Sequence, residues 1–383
     1  MAGVATRGPV AGAREVPDAL APPPRHPRFP ALDGLRAVAA LLVLAYHATF
    51  YSRAYEQQGG RLLAHLNLGV TVFFLISGFL LFRPFIAYRA GGPGRPAVPR
   101  YFRRRFLRIF PAYWLLLIGL TLLPRMSAVG DDWLASFALL DPLPILHKQG
   151  CAANPFGCGA AHTWSLTVEL TFYLALPAYA LATAWLVARS RRPWVAIELA
   201  LLAALAVASV IAGYVAAAPT VVANSLAAYM LWFGLGMGLA VASVATEGRA
   251  LRLFRSGWLS WAAAAVAYIG VCYALPPTPL LLSRHDLLVQ HLGFALVALL
   301  IMAPLVLGSS SGGAQLAMRT RTVAWLGLVS YGIFLWHNAI VLRLSHEFEW
   351  SFVPLMLATV ALTVPIAALS YYLVERPILR WKH

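Results

Sequence analysis

Charged residues are scarce in this chain of 383 amino acids. They make up 11% of the sequence, and only 14 residues are acidic, whereas soluble domains carry about 25% charged residues. Hydrophobic residues reach 60%, and the mean hydropathy is +0.72. So little charge excludes an ordinary soluble domain, and the composition is typical of a polytopic membrane protein.

Cysteine is also rare, and metal-binding motifs are missing from the sequence. None of the three cysteines forms a Cys-x-x-Cys pair, no His-Glu-x-x-His motif occurs, and the ten histidines are scattered along the chain. Zinc sites typically use such closely spaced ligands, so we expect no metal. Cys151 and Cys158 stand seven residues apart with turn-forming residues between them, and either a disulfide or two free thiols would suit them.

Ten apolar segments are long enough to cross about 30 Å of hydrocarbon, which takes about 17 to 25 residues in a helix. They lie approximately at 32–52, 66–88, 107–124, 164–188, 194–217, 224–245, 258–276, 286–308, 323–344 and 351–374. The sequence therefore predicts an all-α polytopic membrane protein with about ten transmembrane helices, in one domain over residues 31–383. Residues 1–30 are rich in Ala, Pro, Gly and Arg, which predicts a disordered cytoplasmic tail and not a signal peptide.

Lysine and arginine are distributed unevenly between alternate loops. If the N-terminus is inside, most of the 30 basic residues lie in segments on the inner side. The positive-inside rule then places both termini in the cytoplasm. The net charge of +16 is spread over several loops instead of one face, so it indicates contact with anionic lipid headgroups and argues against nucleic-acid binding.

Two ionisable residues, Arg36 and His47, stand in the first predicted span. Eleven residues at about 100° each complete about three turns, so both side chains project from one helix face, about 16 Å apart along the axis. We expect Arg36 near one interface and His47 near mid-depth. Because an ionisable group inside the bilayer is costly, the pair is a functional-site hypothesis.

Arginines crowd the loop before the third predicted span. Five of nine residues there are arginine, namely Arg100, Arg103, Arg104, Arg105 and Arg108. Arg105 and Arg108 would share a helix face because they are three residues apart. The cluster either sets the topology and contacts headgroups or forms a binding site for a cytosolic polyanion such as coenzyme A, since guanidinium groups bind phosphate oxygens in pairs.

Further polar residues interrupt three other predicted spans. They are Glu169 in the fourth span, the ninth-span group Ser330, Tyr331, Trp336, His337 and Asn338, and Glu375, Arg376 and Pro377 at the end of the tenth. Pairing between helices, hydrogen bonding or capping would explain such residues. A functional site is the alternative, because polar groups in spans are costly.

Six motifs occur in a fixed order along the chain. They lie within residues 32–47, 69–80, 105–114, 164–169, 330–337 and 374–377. Together they resemble the acyltransferase 3 family of integral membrane proteins, and the resemblance extends over residues 30–380. It implies an enzyme that moves acetyl or another short acyl group from cytosolic acyl-CoA to a hydroxyl of a sugar, a cell-envelope glycan or a macrolide.

The resemblance also implies roles for individual residues. His47 matches the family's essential histidine, as general base or acyl carrier, with Arg36 as its partner. Glu169 matches an acidic residue that would orient His47 or the acceptor. The candidate donor-binding residues are Arg103, Arg104, Arg105 and Arg108, and the candidate substrate-binding residues are Trp164, Ser165, Tyr331 and His337.

The expected partners follow from this reaction. They are the lipid bilayer, acyl-CoA, in particular acetyl-CoA, and a carbohydrate or hydroxylated small molecule, and the expected location is a bacterial cytoplasmic membrane. Some members of the family carry a C-terminal hydrolase-like domain, which we do not expect here, so a separate extracytoplasmic transferase is an alternative route to the acceptor. The competing class is a transporter or exporter of a small solute, because ionisable residues in spans also suit translocation.

Overall fold

A computed structural model describes residues 29–122, 133–140, 160–215, 225–246, 249–278 and 282–382. Within these ranges every element of regular secondary structure is a helix, which confirms the predicted all-α polytopic class. The predicted tail, except for its last two residues, lies outside the described ranges, as do Cys151 and Cys158.

Each of the ten predicted spans corresponds to one long helix. The ten are α1 (Ala31–Tyr51), α2 (Leu68–Arg89), α3 (Val98–Leu122), α4 (Trp164–Arg189), α5 (Trp194–Val215), α6 (Leu226–Ala245), α7 (Trp258–Ala274), α8 (Arg284–Leu307), α9 (Arg321–Glu347) and α10 (Phe352–Ser370). Nine of these described helices, some together with short helical turns joined to them, are long and apolar enough to cross a membrane. The exception is α7, whose 17 residues rise only about 25 Å.

The start of α3 differs from the prediction. The apolar segment begins at residue 107, yet the helix begins at Val98, so the arginine-rich segment forms the first turns of α3 instead of a loop. Pro99 stands in the first turn, where its missing N–H group breaks no helical hydrogen bond. Arginine itself favours helices, and the helix therefore continues beyond the apolar segment.

Four helices, α1, α2, α6 and α9, form the centre of the bundle. Between 61% and 67% of their apolar windows is buried within the protein, and α1 packs along α9 while α2 packs along α6. By contrast, α5 and α10 bury only 17% and 22%. Helices that are apolar on all sides and little covered by protein are suited to face lipid, so α5 and α10 belong to the rim.

Glycine allows α2 and α6 to cross closely. A Cβ atom on Gly236 of α6 would lie 2.1 Å from the Leu75 carbonyl oxygen of α2, and one on Gly78 would lie 2.2 Å from the Phe233 carbonyl oxygen. Neither helix has room for a methyl group at these positions. Gly234, two residues away, has nothing within 4 Å of its added Cβ. Close backbone contact through small residues is common between membrane helices.

A buried ion pair joins α2, α4 and α5. Arg89 of α2 pairs with Glu198 of α5, whose side chain is fully buried. Arg89 also donates hydrogen bonds of 2.8 Å to the Ala180 carbonyl and to Thr183 Oγ1 on α4, while Tyr179 donates to Glu198 at 3.1 Å. Buried charges are tolerated when they are paired and hydrogen-bonded in this way.

Candidate functional site

A cavity of about 670 Å³ opens among α1, α2, α3, α4 and α9. Three arginines, one carboxylate and several hydroxyl groups line it, and we call it the arginine cavity. Its polar lining residues are Arg36, Ser77, Arg105, Arg108, Ser165, Glu169, Tyr173, Ser330 and Tyr331. Six of the eleven candidate residues from the sequence are thus brought together in one cavity.

Arg36 and Arg105 reach the arginine cavity from different helices. Arg36 Nη1 forms an ion pair with Asp33 Oδ1 at 3.2 Å, one turn earlier on α1. The Arg105 guanidinium lies 5.7 Å from the centre of the Tyr173 ring, and its Nε atom is buried without a hydrogen-bond partner among the described residues. A buried donor without a partner is costly and rare, so this atom calls for an explanation.

The remaining arginines of the motif divide between the cavity and the surface. Arg108 lines the cavity, with its guanidinium 5.6 Å from the centre of the Tyr331 ring. Arg103 and Arg104 are exposed and do not line the cavity. Helical periodicity alone does not separate the two groups, because Arg104 and Arg105, four and three residues before Arg108, are both its neighbours on the helix surface.

Glu169 supplies the carboxylate of the arginine cavity. It accepts hydrogen bonds from Ser77 Oγ and from the Tyr173 hydroxyl, the latter at 2.6 Å. From the sequence, Glu169 was a candidate to orient His47 or the acceptor. Its hydrogen bonds instead connect it to Ser77 and Tyr173, beside the arginines.

Three histidines from different parts of the chain meet beyond this cavity. The ring centres of His47 and His337 are 5.0 Å apart, those of His162 and His337 are 4.9 Å apart, and those of His47 and His162 are 6.3 Å apart. We call these residues the histidine cluster. His162 was missed in the sequence, although it stands two residues before the motif that begins at Trp164.

Hydrogen bonds favour one tautomer of a neutral His47. Its Nδ1 lies 2.9 Å from the Val43 carbonyl oxygen, and because a carbonyl can only accept, Nδ1 carries the hydrogen. His337 Nδ1 likewise donates to the Ile333 carbonyl at 3.1 Å, which leaves Nε2 of a neutral His337 as an acceptor, 3.2 Å from His47 Nδ1. In a neutral His47 the hydrogen on Nδ1 therefore faces two acceptors, and Nε2 keeps its lone pair.

The histidine cluster is adjacent to the arginine cavity and separated from it by an aromatic ring. Phe334 lines the cavity, and its ring centre is 5.0 Å from His162 and 5.8 Å from His337. His47 lies about 24 Å from the Ala31 end of α1, a helix about 31 Å long. His47 is therefore closer to the far end of α1 than to its middle. The sequence had placed it near mid-depth. In the part of the chain that the structure describes, no set of three or more His, Cys, Asp or Glu residues is placed to hold a metal.

A second cavity, of about 920 Å³, lies among the ends of α2, α4, α5, α6 and α8. Aromatic rings and uncharged polar groups line it, and we call it the aromatic cavity. Its described lining residues are Asn67, Val70, Trp164, Val210, Gly213, Tyr214, Ala228, Tyr229, Trp232, Leu287, Leu288, Gln290 and His291. Of the candidates from the sequence, it contains only Trp164. Trp232 and His291 were missed, because single aromatic residues on apolar helices resemble ordinary core.

A short segment at the start of α4 contributes residues to the arginine cavity, the aromatic cavity and the histidine cluster. His162 belongs to the histidine cluster, Trp164 lines the aromatic cavity, and Ser165 lines the arginine cavity while donating to the His162 carbonyl at 3.1 Å. Val70 of α2 lines both cavities. The two cavities are therefore neighbours, and the histidine cluster lies beside them.

Comparison with known proteins identifies the class of this helical membrane protein. The profile of the acyltransferase 3 family, described as an acyltransferase domain, matches residues 29–375. The chain therefore belongs to the acyltransferase 3 family of enzymes. It is a multi-pass membrane acyltransferase.

Three relatives illustrate the similarity. The chain is 28% identical to acyltransferase MdmB of Streptomyces mycarofaciens, over 94% of this chain and 93% of that protein. It is 26% identical to the putative peptidoglycan O-acetyltransferase YrhL of Bacillus subtilis, over 92% and 55% of the two chains. It is 26% identical to peptidoglycan O-acetyltransferase OatA of Listeria monocytogenes, over 91% and 55%. The chain thus spans about half the length of the latter two relatives. No solved structure matches it.

Proposed function

We propose that this enzyme transfers an acyl group, in the first instance acetyl, from cytosolic acyl-CoA to a hydroxyl of a glycan, a glycolipid or a macrolide-type sugar. The observation that carries the proposal is the arginine cavity beside a histidine whose Nε2 keeps a lone pair. Two relatives are named as peptidoglycan O-acetyltransferases, one of them putative, which supports a sugar acceptor.

The arginine cavity suits the anionic end of the donor. Arg36, Arg105 and Arg108 contribute three positive charges against the single carboxylate of Glu169. Arg36 is partly neutralised by Asp33, so Arg105 and Arg108 offer the strongest attraction for phosphate oxygens. An extended pantetheine arm attached there is comparable in length to the rise of about 16 Å from Arg36 to His47. The thioester would then lie near the histidine cluster.

His47 is proposed to assist attack on the thioester. Its Nε2 accepts the proton of the acceptor hydroxyl while the hydroxyl oxygen bonds to the thioester carbonyl carbon. The carbon–sulfur bond then breaks, the departing sulfur takes the proton, and coenzyme A leaves as a thiol. In the alternative route, Nε2 bonds to the thioester carbonyl carbon as the carbon–sulfur bond breaks and coenzyme A leaves as a thiolate, and the acyl group then passes to the hydroxyl, whose proton the thiolate takes. Both routes need the same lone pair.

The membrane arrangement completes the proposal. We propose one transmembrane domain over residues 31–383, with both termini in the cytoplasm of a bacterial cell. The donor would enter from the Arg36 side and the acceptor from the opposite side. A separate extracytoplasmic transferase remains an alternative final carrier of the acyl group.

The test is transfer of label from radioactive acetyl-CoA into lipid, glycan and small-molecule fractions by membranes that contain the protein. We expect His47→Ala to lower transfer at least about 100-fold, because a positioned acid–base group contributes about 10²- to 10⁴-fold. His346→Ala, at the exposed end of α9, is the matched control. Equal transfer by His47→Ala and wild type would reject the assignment. Solute uptake with the thioester intact would favour a transporter.

A further inference from the structure

The aromatic cavity lies at the opposite ends of the helices from the arginine cluster on α3. It is built from the starts of α2, α4, α6 and α8 and the end of α5. Because the segment between α1 and α2 is on this side, the cavity faces away from the Ala31 end of α1.

Four ring systems form a continuous wall in this cavity. The ring centres of Trp164 and Tyr229 are 5.2 Å apart, those of Tyr229 and Trp232 are 5.0 Å apart, and those of Trp232 and His291 are 4.5 Å apart and stacked at 24°. Trp232 also donates its indole N–H to the His291 carbonyl at 3.0 Å. Flat apolar rings with polar edges suit ligands that are apolar on one face and polar at their edges.

Two polar atoms at the wall have no hydrogen-bond partner among the described residues. Asn67 Oδ1 and His291 Nε2 are both buried without a hydrogen-bond partner among the described residues. A buried polar atom without a partner is costly and rare, so each such atom calls for an explanation. Gln290 lies beside them, with its amide only 3.5 Å from His65 Nδ1. A bound ligand with hydroxyl groups would satisfy these atoms.

The aromatic cavity differs from the arginine cavity in its lack of charged side chains. None of its described lining residues is Lys, Arg, Asp or Glu. An anionic ligand such as coenzyme A would find no counter-charge here, and a lipid tail would leave the polar atoms of Asn67 and His291 unsatisfied. A neutral ligand with several hydroxyl groups fits both the aromatic wall and the polar atoms.

We propose that the aromatic cavity binds the acceptor as a neutral carbohydrate, with Trp232 and His291 as its main recognition residues. This inference rests on the proposed acyltransferase function and names its acceptor site. The sugar ring packs against the wall of Trp164, Tyr229 and Trp232, and its hydroxyl groups bond to Asn67 Oδ1 and His291 Nε2. Val70 also lines the arginine cavity, so the proposed acceptor and donor sites adjoin at this residue.

The experiment uses purified protein in nanodiscs, radioactive acetyl-CoA and three acceptor probes: chitotriose, a muropeptide digest and dodecanol. His291→Phe retains the ring against Trp232 and removes Nε2, and Trp232→Phe removes the indole. The matched control is Trp261→Phe, because Trp261 also donates its indole N–H to a carbonyl of α8, that of Ile301 at 3.1 Å, but lies outside both cavities.

We expect both cavity variants to raise the KM for the saccharide probe about tenfold or more. Calorimetric affinity for coenzyme A and the melting temperature should be unchanged in His291→Phe, because Nε2 has no partner to lose. Trp261→Phe should keep the wild-type KM.

Three results would overturn the proposal. A wild-type KM in His291→Phe would show that His291 does not take part in recognition. A rise in KM for Trp261→Phe equal to that of the cavity variants would show a general packing effect. Transfer by the wild type to dodecanol alone would assign a lipid acceptor. If the wild type neither releases thiol from acetyl-CoA nor labels any probe, the proposed acyltransferase reaction itself fails, which is a separate result.

Discussion

Replacing Arg105 should weaken binding of the acyl donor far more than replacing its neighbour Arg104. The two residues are adjacent in sequence, carry the same charge and lie in the same turn of α3. Arg105 lines the arginine cavity, whereas Arg104 is exposed. The pair therefore separates specific recognition from the general attraction of a basic surface.

The expected magnitude follows from burial and from the unpaired atom. Arg105 Nε is buried without a partner among the described residues, so a phosphate oxygen bonded there would not replace an existing hydrogen bond. A hydrogen bond to a charged group contributes about 1.5–3 kcal/mol, which is about a 10- to 100-fold change in Kd. An exposed charge contributes about 0–1 kcal/mol, which is less than about fivefold.

The assay is calorimetric titration of coenzyme A into purified wild type, Arg105→Gln and Arg104→Gln. Arg108→Gln should resemble Arg105→Gln, and Arg103→Gln should resemble Arg104→Gln. Repeating the titrations with dephospho-coenzyme A, which lacks the ribose phosphate, shows which arginine contacts that phosphate. If an arginine binds it, the variant that lacks this arginine binds coenzyme A and dephospho-coenzyme A equally well. Equal losses in Arg105→Gln and Arg104→Gln would refute the reasoning, since the cavity would then add nothing to surface charge.

Three further predictions concern other parts of the protein. Gly236→Ala should lower the free energy of unfolding by about 1–3 kcal/mol, because the added methyl group would collide with α2. Gly234→Ala should leave it unchanged, and thermal unfolding in detergent compares the two variants. Glu198→Ala should destabilise the fold by about 3–5 kcal/mol, because it leaves a buried arginine charge unpaired; an unchanged melting temperature would contradict this. His337→Phe removes one acceptor of the His47 Nδ1 hydrogen. We therefore expect kcat to fall about two- to tenfold, with an unchanged KM for the donor. A selective rise in KM would argue against a positioning role for His337.

Much of the fold is readable in the sequence because lipid imposes a simple length rule. Every predicted span became a helix, and the largest difference was at Val98, where arginines extend α3 beyond the apolar segment. Helical periodicity also places Arg105 and Arg108 on one face. These features depend only on neighbours along one helix.

The remaining features depend on which helices touch, and no local pattern encodes that. His162 precedes α4 and meets His337 of α9 only in the folded bundle. Glu198 stands in an apolar helix without any local sign of its partner Arg89. Trp232 and His291 form their stacked pair across α6 and α8, so the aromatic cavity was not visible in the sequence.

The position of Val70 between the two cavities has an electrical consequence. If the donor stays among the arginines and the sugar stays in the aromatic cavity, the acyl group passes Val70 in one direction and the proton of the acceptor hydroxyl moves to the thiolate sulfur in the other, so the two charges cancel. Moving one charge across a membrane costs about 2.3 kcal/mol per 100 mV, but no net charge moves here. The free energy of this acylation would then be the same in energised and depolarised membranes, set by the thioester alone.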